Sequence, residues 1–286
     1  MAQLLVIGTG LIGGSFALAM RSAGRFQAFA GYDTDAAALA QAKARGIIDQ
    51  VIADPVTAAT GAAAVLIAVP PLAIAAAVRR TVKVVKRGVP VFDVGSVKGD
   101  VIAALREGGE MPAHFVPTHP MAGSERQGPE AADASLFQNR HVIITPEAET
   151  DRASVALVRE WWGAAGAIVI ETNATLHDEM VALTSHLPHL LALTFMEWAA
   201  HPRGAAAADF AGPGLRDFTR IASSDPALWR QIFAANRTAL LREFDGFQLA
   251  LTEVGALLRD GRFDELEAVL AAARRARVGL LERGDV

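Results

Sequence analysis

The chain has 286 residues, 27 basic against 31 acidic side chains, a net charge of −4 and no cysteine. A composition that is 52% hydrophobic and 20% charged supplies a sizeable core and excludes a disordered chain. The missing cysteines exclude disulfides, zinc–thiolate sites and thiol catalysis. The scattered lysines and arginines point away from nucleic acid and from anionic membrane as partners.

The opening residues 1–8 lack a basic region and run straight into a glycine turn, so no signal peptide is expected there. Residues 3–7 are predicted as a strand, 11–23 as a helix, 29–32 as a strand ending at Asp33, and 35–45 as a helix. Residues 55–78 carry no charge, but they are alanine-rich and interrupted by Pro70-Pro71. They read as a strand over 65–69, a turn and a helix, and not as a membrane span. Apolar runs at 89–92, 115–117, 141–145 and 167–171 complete a set of short strands. Runs this short and apolar fit strands covered on both faces, and their alternation with helices predicts a doubly wound parallel sheet.

The pattern changes at Asn173, beyond which only helical periods occur. Asn173 is placed as the cap of a helix starting at Ala174. Pro188, inside the helical stretch 177–200, predicts a kink. Asp225 and Pro226 open a helix as cap and first residue, and 228–259 reads as one long helix. Another over 263–283 begins with acids and ends with arginines, as the helix dipole favours. The expectation is an α/β Rossmann-type domain over 1–172 followed by an all-α domain over 173–286.

Gly8-Thr9-Gly10-Leu11-Ile12-Gly13 stands between the first strand and the first helix. The first glycine suits a tight turn, the second lets the backbone approach a pyrophosphate, and the third lets helix pack on strand. Asp33 follows about twenty positions later at the end of the second strand, where a carboxylate accepts from adenosine ribose hydroxyls. No arginine follows it in Tyr32-Asp33-Thr34-Asp35, so NAD is expected over NADP. A glycine-rich structural turn and a flavin site are the alternatives.

Five further segments carry a resemblance. They are Ala68-Val69-Pro70; Asp93-Val94-Gly95-Ser96-Val97-Lys98; Thr118-His119-Pro120-Met121-Ala122-Gly123-Ser124-Glu125; Thr184-Ser185-His186-Leu187-Pro188-His189; and Gly214-Leu215-Arg216-Asp217-Phe218-Thr219-Arg220-Ile221. The tract Ser224-Asp225-Pro226-Ala227-Leu228-Trp229 extends the last. In this order they resemble the prephenate/arogenate (cyclohexadienyl) dehydrogenase family. The resemblance implies a Rossmann domain joined to a helical substrate-binding domain that forms a homodimer. It also implies a cytoplasmic enzyme of tyrosine biosynthesis that uses NAD to oxidise and decarboxylate prephenate or arogenate; some members append a mutase or a regulatory domain, for which no room is expected in 286 residues.

By that resemblance His119, read as lying in a turn after a strand, is the base that takes the substrate's hydroxyl proton. Ser96 orients it against the nicotinamide, and Val69 and Pro70 border the cofactor. Read alone, Ser96 is a helix cap. His186 and His189 share a helix face; with no third ligand at metal spacing, no metal is expected. By resemblance His189 contacts substrate and His186 supports it, while two core histidines are the plainer reading. Arg220 falls at the family's carboxylate-binding position, Asp217 is placed to hold it if the segment is helical, and Trp229 walls the pocket. A surface Asp–Arg pair is the plainer reading there. Trp161, Trp162 and Trp198 read as core or interface. Ser124, Glu125, Arg126 and Gln127 fall near the substrate's side chain. Arg126 would suit a keto acid and Glu125 an ammonium, which leaves prephenate and arogenate both open. Two other readings stay open. One is a hydroxyacid dehydrogenase, disfavoured because no lysine occurs from Asn173 onward. The other is a redox-inactive NAD-binding dimer.

Overall fold

The computed structural model describes residues 2–109, 111–124, 126–201 and 209–281. They form two compact units, residues 1–237 and 238–286.

In the first unit, β1 (Gln3–Ile7), β2 (Ala28–Tyr32), β3 (Gln50–Val51), β4 (Ala64–Ile67), β5 (Val91–Asp93) and β6 (Phe115–Val116) make a parallel sheet in the order β3-β2-β1-β4-β5-β6. Alternate residues of a strand face opposite sides, and β1 shows why its sequence is apolar throughout. Leu4 and Val6 enter one core with Phe16, Phe92 and Trp162, whereas Leu5 and Ile7 enter the other with Ile74, Val101 and Leu105. Helices α1 (Leu11–Ser22), α2 (Ala36–Ala44), α3 (Pro55–Ala59), α4 (Pro71–Val82), α5 (Gly99–Glu107) and α6 (Arg152–Ala164) cover the faces. The chain order reverses between β1 and β4, the place where such sheets open a crevice beyond the strands' carboxyl ends.

The strands expected at 141–145 and 167–171 exist as β8 (His141–Ile144) and β9 (Ile168–Glu171), but they leave the main sheet. They form a second sheet, β7-β8-β9, with β7 (Thr118–Pro120) antiparallel to β8. The physical reason lies in the prolines. Pro117 has no N–H to continue β6; its carbonyl instead accepts from Thr145 N at 3.0 Å. Pro120 is tolerated because β7 is an edge strand. His119 therefore stands on a strand, and the expectation of a turn there is corrected.

From Asn173 onward the described residues are helical. Asn173 caps α7 (Ala174–Val181), accepting from Leu176 N at 2.8 Å. The kink expected at Pro188 is instead a π turn, Ala182–His186, leading into α8 (Leu187–Ala200), with Leu187 N reaching back to Ala182 O. A wider turn accommodates the proline ring and the bond it cannot make. Next come α9 (Pro213–Thr219) and a 3₁₀ turn, Arg220–Ser223, and then α10 (Pro226–Ala235) capped by Asp225, which accepts from Ala227 N at 2.8 Å. The single long helix expected over 228–259 is broken at Asn236 (φ −107°, ψ 30°). Its side chain is drawn into the core to donate to Asp178 O at 2.8 Å. The second unit comprises most of α11 (Arg237–Arg259) and all of α12 (Phe263–Leu281), joined at Gly261 in the left-handed region (φ +68°). Trp161 and Trp162 are core residues, whereas Trp198 is exposed. Among the described residues no helix is long and apolar enough to cross a membrane.

Candidate active site

A cleft of about 860 Å³ opens beyond the carboxyl ends of β1, β4, β5 and β7. Its cofactor end is the turn between β1 and α1. Gly8 holds φ +97°, and a Cβ there would stand 2.1 Å from the Ala68 carbonyl oxygen. A Cβ at Gly13 would stand 2.1 Å from the Gly8 carbonyl oxygen. Neither position admits a side chain, so the α1 N-terminus is pressed onto the strand ends. Gly10, Leu11, Ile12 and Gly13 line the cleft with Val69 and Pro70 opposite. Thr9 and Asp33 do not line it. They brace the turn from behind, Asp33 Oδ2 accepting from Thr9 N at 2.8 Å and from Thr9 Oγ1 at 3.2 Å. Asp33 is only partly buried and retains acceptor capacity at the β2 end. This cradle fits a dinucleotide with free ribose hydroxyls.

Deeper in, Ser96 follows β5 and faces the cleft beside His119. A buried network fixes both segments. Lys98 Nζ, wholly enclosed, pairs with the equally enclosed Asp93 carboxylate and donates to Thr118 O at 2.6 Å. Asp93 also accepts from Gly95 N at 2.9 Å and Thr118 N at 3.0 Å. Lys98 thus staples the β5 turn to β7, one residue from His119. Burial lowers the Lys98 pKa, with Asp93 and Asp178 opposing.

His119 is buried, and its Nδ1 lies 2.8 Å from His177 Nε2; His177 Nδ1 lies 2.7 Å from Asp178 Oδ1. Burial first, and then His177, Lys98 and His186, hold the His119 pKa well below the ordinary histidine value. His119 is therefore neutral at physiological pH, the form in which it accepts a proton. His186 also lines the cleft; its Nδ1 receives Asn236 Nδ2 at 3.1 Å, and its pKa is pushed down to about 4, chiefly by burial. His189 Nδ1 meets Ser185 O at 2.8 Å, and its ring stacks on Trp229 at 3.7 Å and 21°. Burial lowers its pKa, the Ser185 carbonyl opposes, and Arg220 lowers it further. Among the described residues no cluster could hold a metal.

The cleft's outer wall holds Ser124, Arg126, Gln127, Arg220, Asp225 and Trp229. Arg220, on the 3₁₀ turn, is exposed at this wall. Asp217 is exposed, does not line the cleft, and among the described residues is not seen paired with Arg220. Ser124 Oγ caps its own turn, accepting from Arg126 N at 3.1 Å. Glu125 lies outside the described residues.

Sequence reasoning missed His177, Asp178, Asn236 and the Asp93–Lys98 pair. One signal was available. Ala174, His177, Asp178 and Val181 are the buried residues of α7, spaced as a core-facing stripe. A histidine and an aspartate inside such a stripe require partners.

A dinucleotide cradle opening onto a neutral histidine and an arginine, at the reversal point of a parallel sheet, defines an NAD-dependent dehydrogenase. Two family models match the chain: the prephenate dehydrogenase nucleotide-binding domain over residues 16–171 and the prephenate dehydrogenase dimerization domain over 173–272. The cyclohexadienyl dehydrogenase of Zymomonas mobilis is 32% identical over 99% of this chain and 98% of its own. The prephenate dehydrogenase of Bacillus subtilis is 31% identical over 97% of this chain and 76% of its own. The crystal structure of Aquifex aeolicus prephenate dehydrogenase with hydroxyphenyl propionate and NAD+ superposes with a TM-score of 0.90 at 30% identity, covering 98% of each chain. The chain belongs to the prephenate dehydrogenase family and is an oxidoreductase that uses NAD.

Proposed function

We propose that this enzyme converts prephenate to 4-hydroxyphenylpyruvate, or arogenate to tyrosine, with release of carbon dioxide, and that His119 is its base. The supporting observation is a single cleft lined by the dinucleotide turn, Ser96, His119, His189 and Arg220. Bound NAD supplies the hydride acceptor. The backbone of residues 10–13 would hold its pyrophosphate at the α1 N-terminus, Asp33 its ribose, and Val69 and Pro70 the opposite wall.

The chain's own residues do the rest. His119 Nε2 takes the proton of the ring hydroxyl as hydride departs from the same carbon. The bond from the ring to the carboxylate then breaks, its electrons aromatise the ring, and the phenolate oxygen recovers the proton from His119. Ser96 orients the hydroxyl and the imidazole. Arg220 binds a substrate carboxylate, a task suited to a guanidinium. His189, stacked on Trp229, gives the site a rigid wall, and His186 holds that wall from within.

The working division is 1–172 for the cofactor and 173–286 for substrate and dimer contacts. Within the second unit Leu249, Leu251, Leu258, Phe263, Leu270 and Leu280 are more than half exposed. Apolar exposure on that scale marks an interface, and a symmetric homodimer through the helical part would cover it. We place the enzyme in the cytoplasm, with small molecules as its other partners. NADH formation from purified protein with prephenate and with arogenate tests the reading and separates the two substrates. Turnover of neither, with NAD still bound, refutes it.

A further inference from the structure

We propose that His177 and Asp178 are positioning residues that lock His119 in the tautomer whose Nε2 is free to take a proton. The inference rests on His119 being the base, and it follows from hydrogen-bond accounting along a buried chain.

Asp178 faces only donors. Its Oδ1 accepts from Lys98 N at 2.9 Å and its Oδ2 from Gly99 N at 2.7 Å, which places the carboxylate at the N-terminus of α5. A carboxylate has no proton to give, so the 2.7 Å contact with His177 Nδ1 is an N–H donated by the imidazole. Full enclosure of the ring disfavours a second proton, and an imidazole that keeps one proton, on Nδ1, carries a lone pair on Nε2. The 2.8 Å contact between that atom and His119 Nδ1 therefore requires His119 to donate. Its proton sits on Nδ1, and Nε2 is left as an acceptor. In the other tautomer two lone pairs would face each other at 2.8 Å. Exposures of 8% for His119, 1% for His177 and 9% for Asp178 leave little room for water to relieve the mismatch.

The same chain serves the protonated base. Once Nε2 has taken a proton, the Nδ1–H bond to His177 becomes charge-assisted, and the Asp178 carboxylate stands behind it. The other ionisable groups around this chain are the Lys98–Asp93 pair beside β7, His186 behind α7, and Asp100 on the first turn of α5, whose carboxyl partial burial and then Asp178 hold above the ordinary value. Lys98 and His186 oppose a cation on His119, so Asp178 is the anion that works in the other direction. Asp178 also ties α5 of the cofactor part to α7 of the helical part. The histidine that meets substrate is thus set by contacts from both.

The test uses full-length His177→Leu and His177→Gln, with His119→Asn as control. Leucine removes the acceptor for His119 Nδ1; a glutamine amide oxygen can replace it. The expected result is a kcat reduced about 100-fold in His177→Leu, the scale of a general base, with the KM for substrate and the affinity for NAD changed by less than about twofold. Most of kcat should return in His177→Gln. The ¹⁵N ring signals of His119, assigned by their loss in His119→Asn, should show Nδ1 protonated in the unmodified enzyme and Nε2 protonated in His177→Leu. Wild-type kcat in His177→Leu overturns the proposal, as does an Nε2-protonated His119 in the unmodified enzyme. Should the leucine variant fail to fold, the ring signals and the glutamine variant still decide: a folded His177→Gln with kcat reduced about 100-fold counts against the proposal. Loss of activity in His119→Asn with none in the His177 variants removes only the positioning role. Retained activity in His119→Asn removes the base itself.

Discussion

His186 should make this enzyme lose stability in mild acid, by an amount that follows from its burial. The ring is almost wholly enclosed, bonded to Asn236 and set edge-on to Trp229, and its pKa falls from the ordinary 6.5 to about 4. In the unfolded chain it titrates near 6.5. The unfolded state therefore binds the proton first as pH falls. The contribution is fully present above pH 6.5 and is lost progressively as pH drops toward the folded value. Linkage gives a loss of about 2 kcal/mol at pH 5 and about 3 kcal/mol once both states are protonated. Urea denaturation of wild type and His186→Gln at pH 8 and pH 5 isolates this term, because carboxylates and the other histidines act in both proteins. The drop between the two pH values should be about 2 kcal/mol larger in wild type. Equal drops, within about 0.5 kcal/mol, would refute the assignment of a buried neutral His186.

Other substitutions probe the remaining parts of the site. Arg220→Ala should raise the substrate KM by about 10- to 100-fold and leave NAD affinity unchanged, since an ion-paired carboxylate is worth about 1.5–3 kcal/mol; steady-state kinetics at saturating NAD reads this directly. Lys98→Met strands the enclosed Asp93 carboxylate and should cost about 3–5 kcal/mol, seen as a lowered thermal midpoint. Lys98→Met with Asp93→Asn should recover part of that loss. Asp33→Ser should weaken NAD and narrow its advantage over NADP, measured as the ratio of kcat/KM for the two cofactors.

Much of the fold was legible because local rules act there without competition. The all-apolar β1 announced a strand buried on both faces, the glycines at 8, 10 and 13 announced the turn that follows it, and Asn173 and Asp225 capped the helices expected of them. What escaped the sequence depends on tertiary partners. The period of 228–259 is helical throughout, but Asn236 breaks it because its amide is needed by Asp178 and His186. Pro188 signals disruption without saying whether a kink or a π turn results. β7 follows directly on Pro117 and ends in Pro120, and is a strand only because β8 lies beside it. His119 and Arg220 were found through motif order, and the cleft receives both. The pairing of Asp217 with Arg220 was inferred from spacing alone, and the 3₁₀ turn that begins at Arg220 departs from the α-helical spacing this inference assumed. His177 and Asp178, hidden in an otherwise ordinary helix stripe, acquire meaning only once β7 is folded against α7.

The most direct test of the account is a paired assay of NADH and carbon dioxide from prephenate or arogenate, run on wild type and on His119→Asn. The account predicts equal amounts of the two products from wild type. It also predicts a kcat lower by at least about 100-fold in the variant, with NAD bound as tightly as before. A variant as fast as wild type, or a wild type that binds NAD and turns over neither substrate, would contradict it.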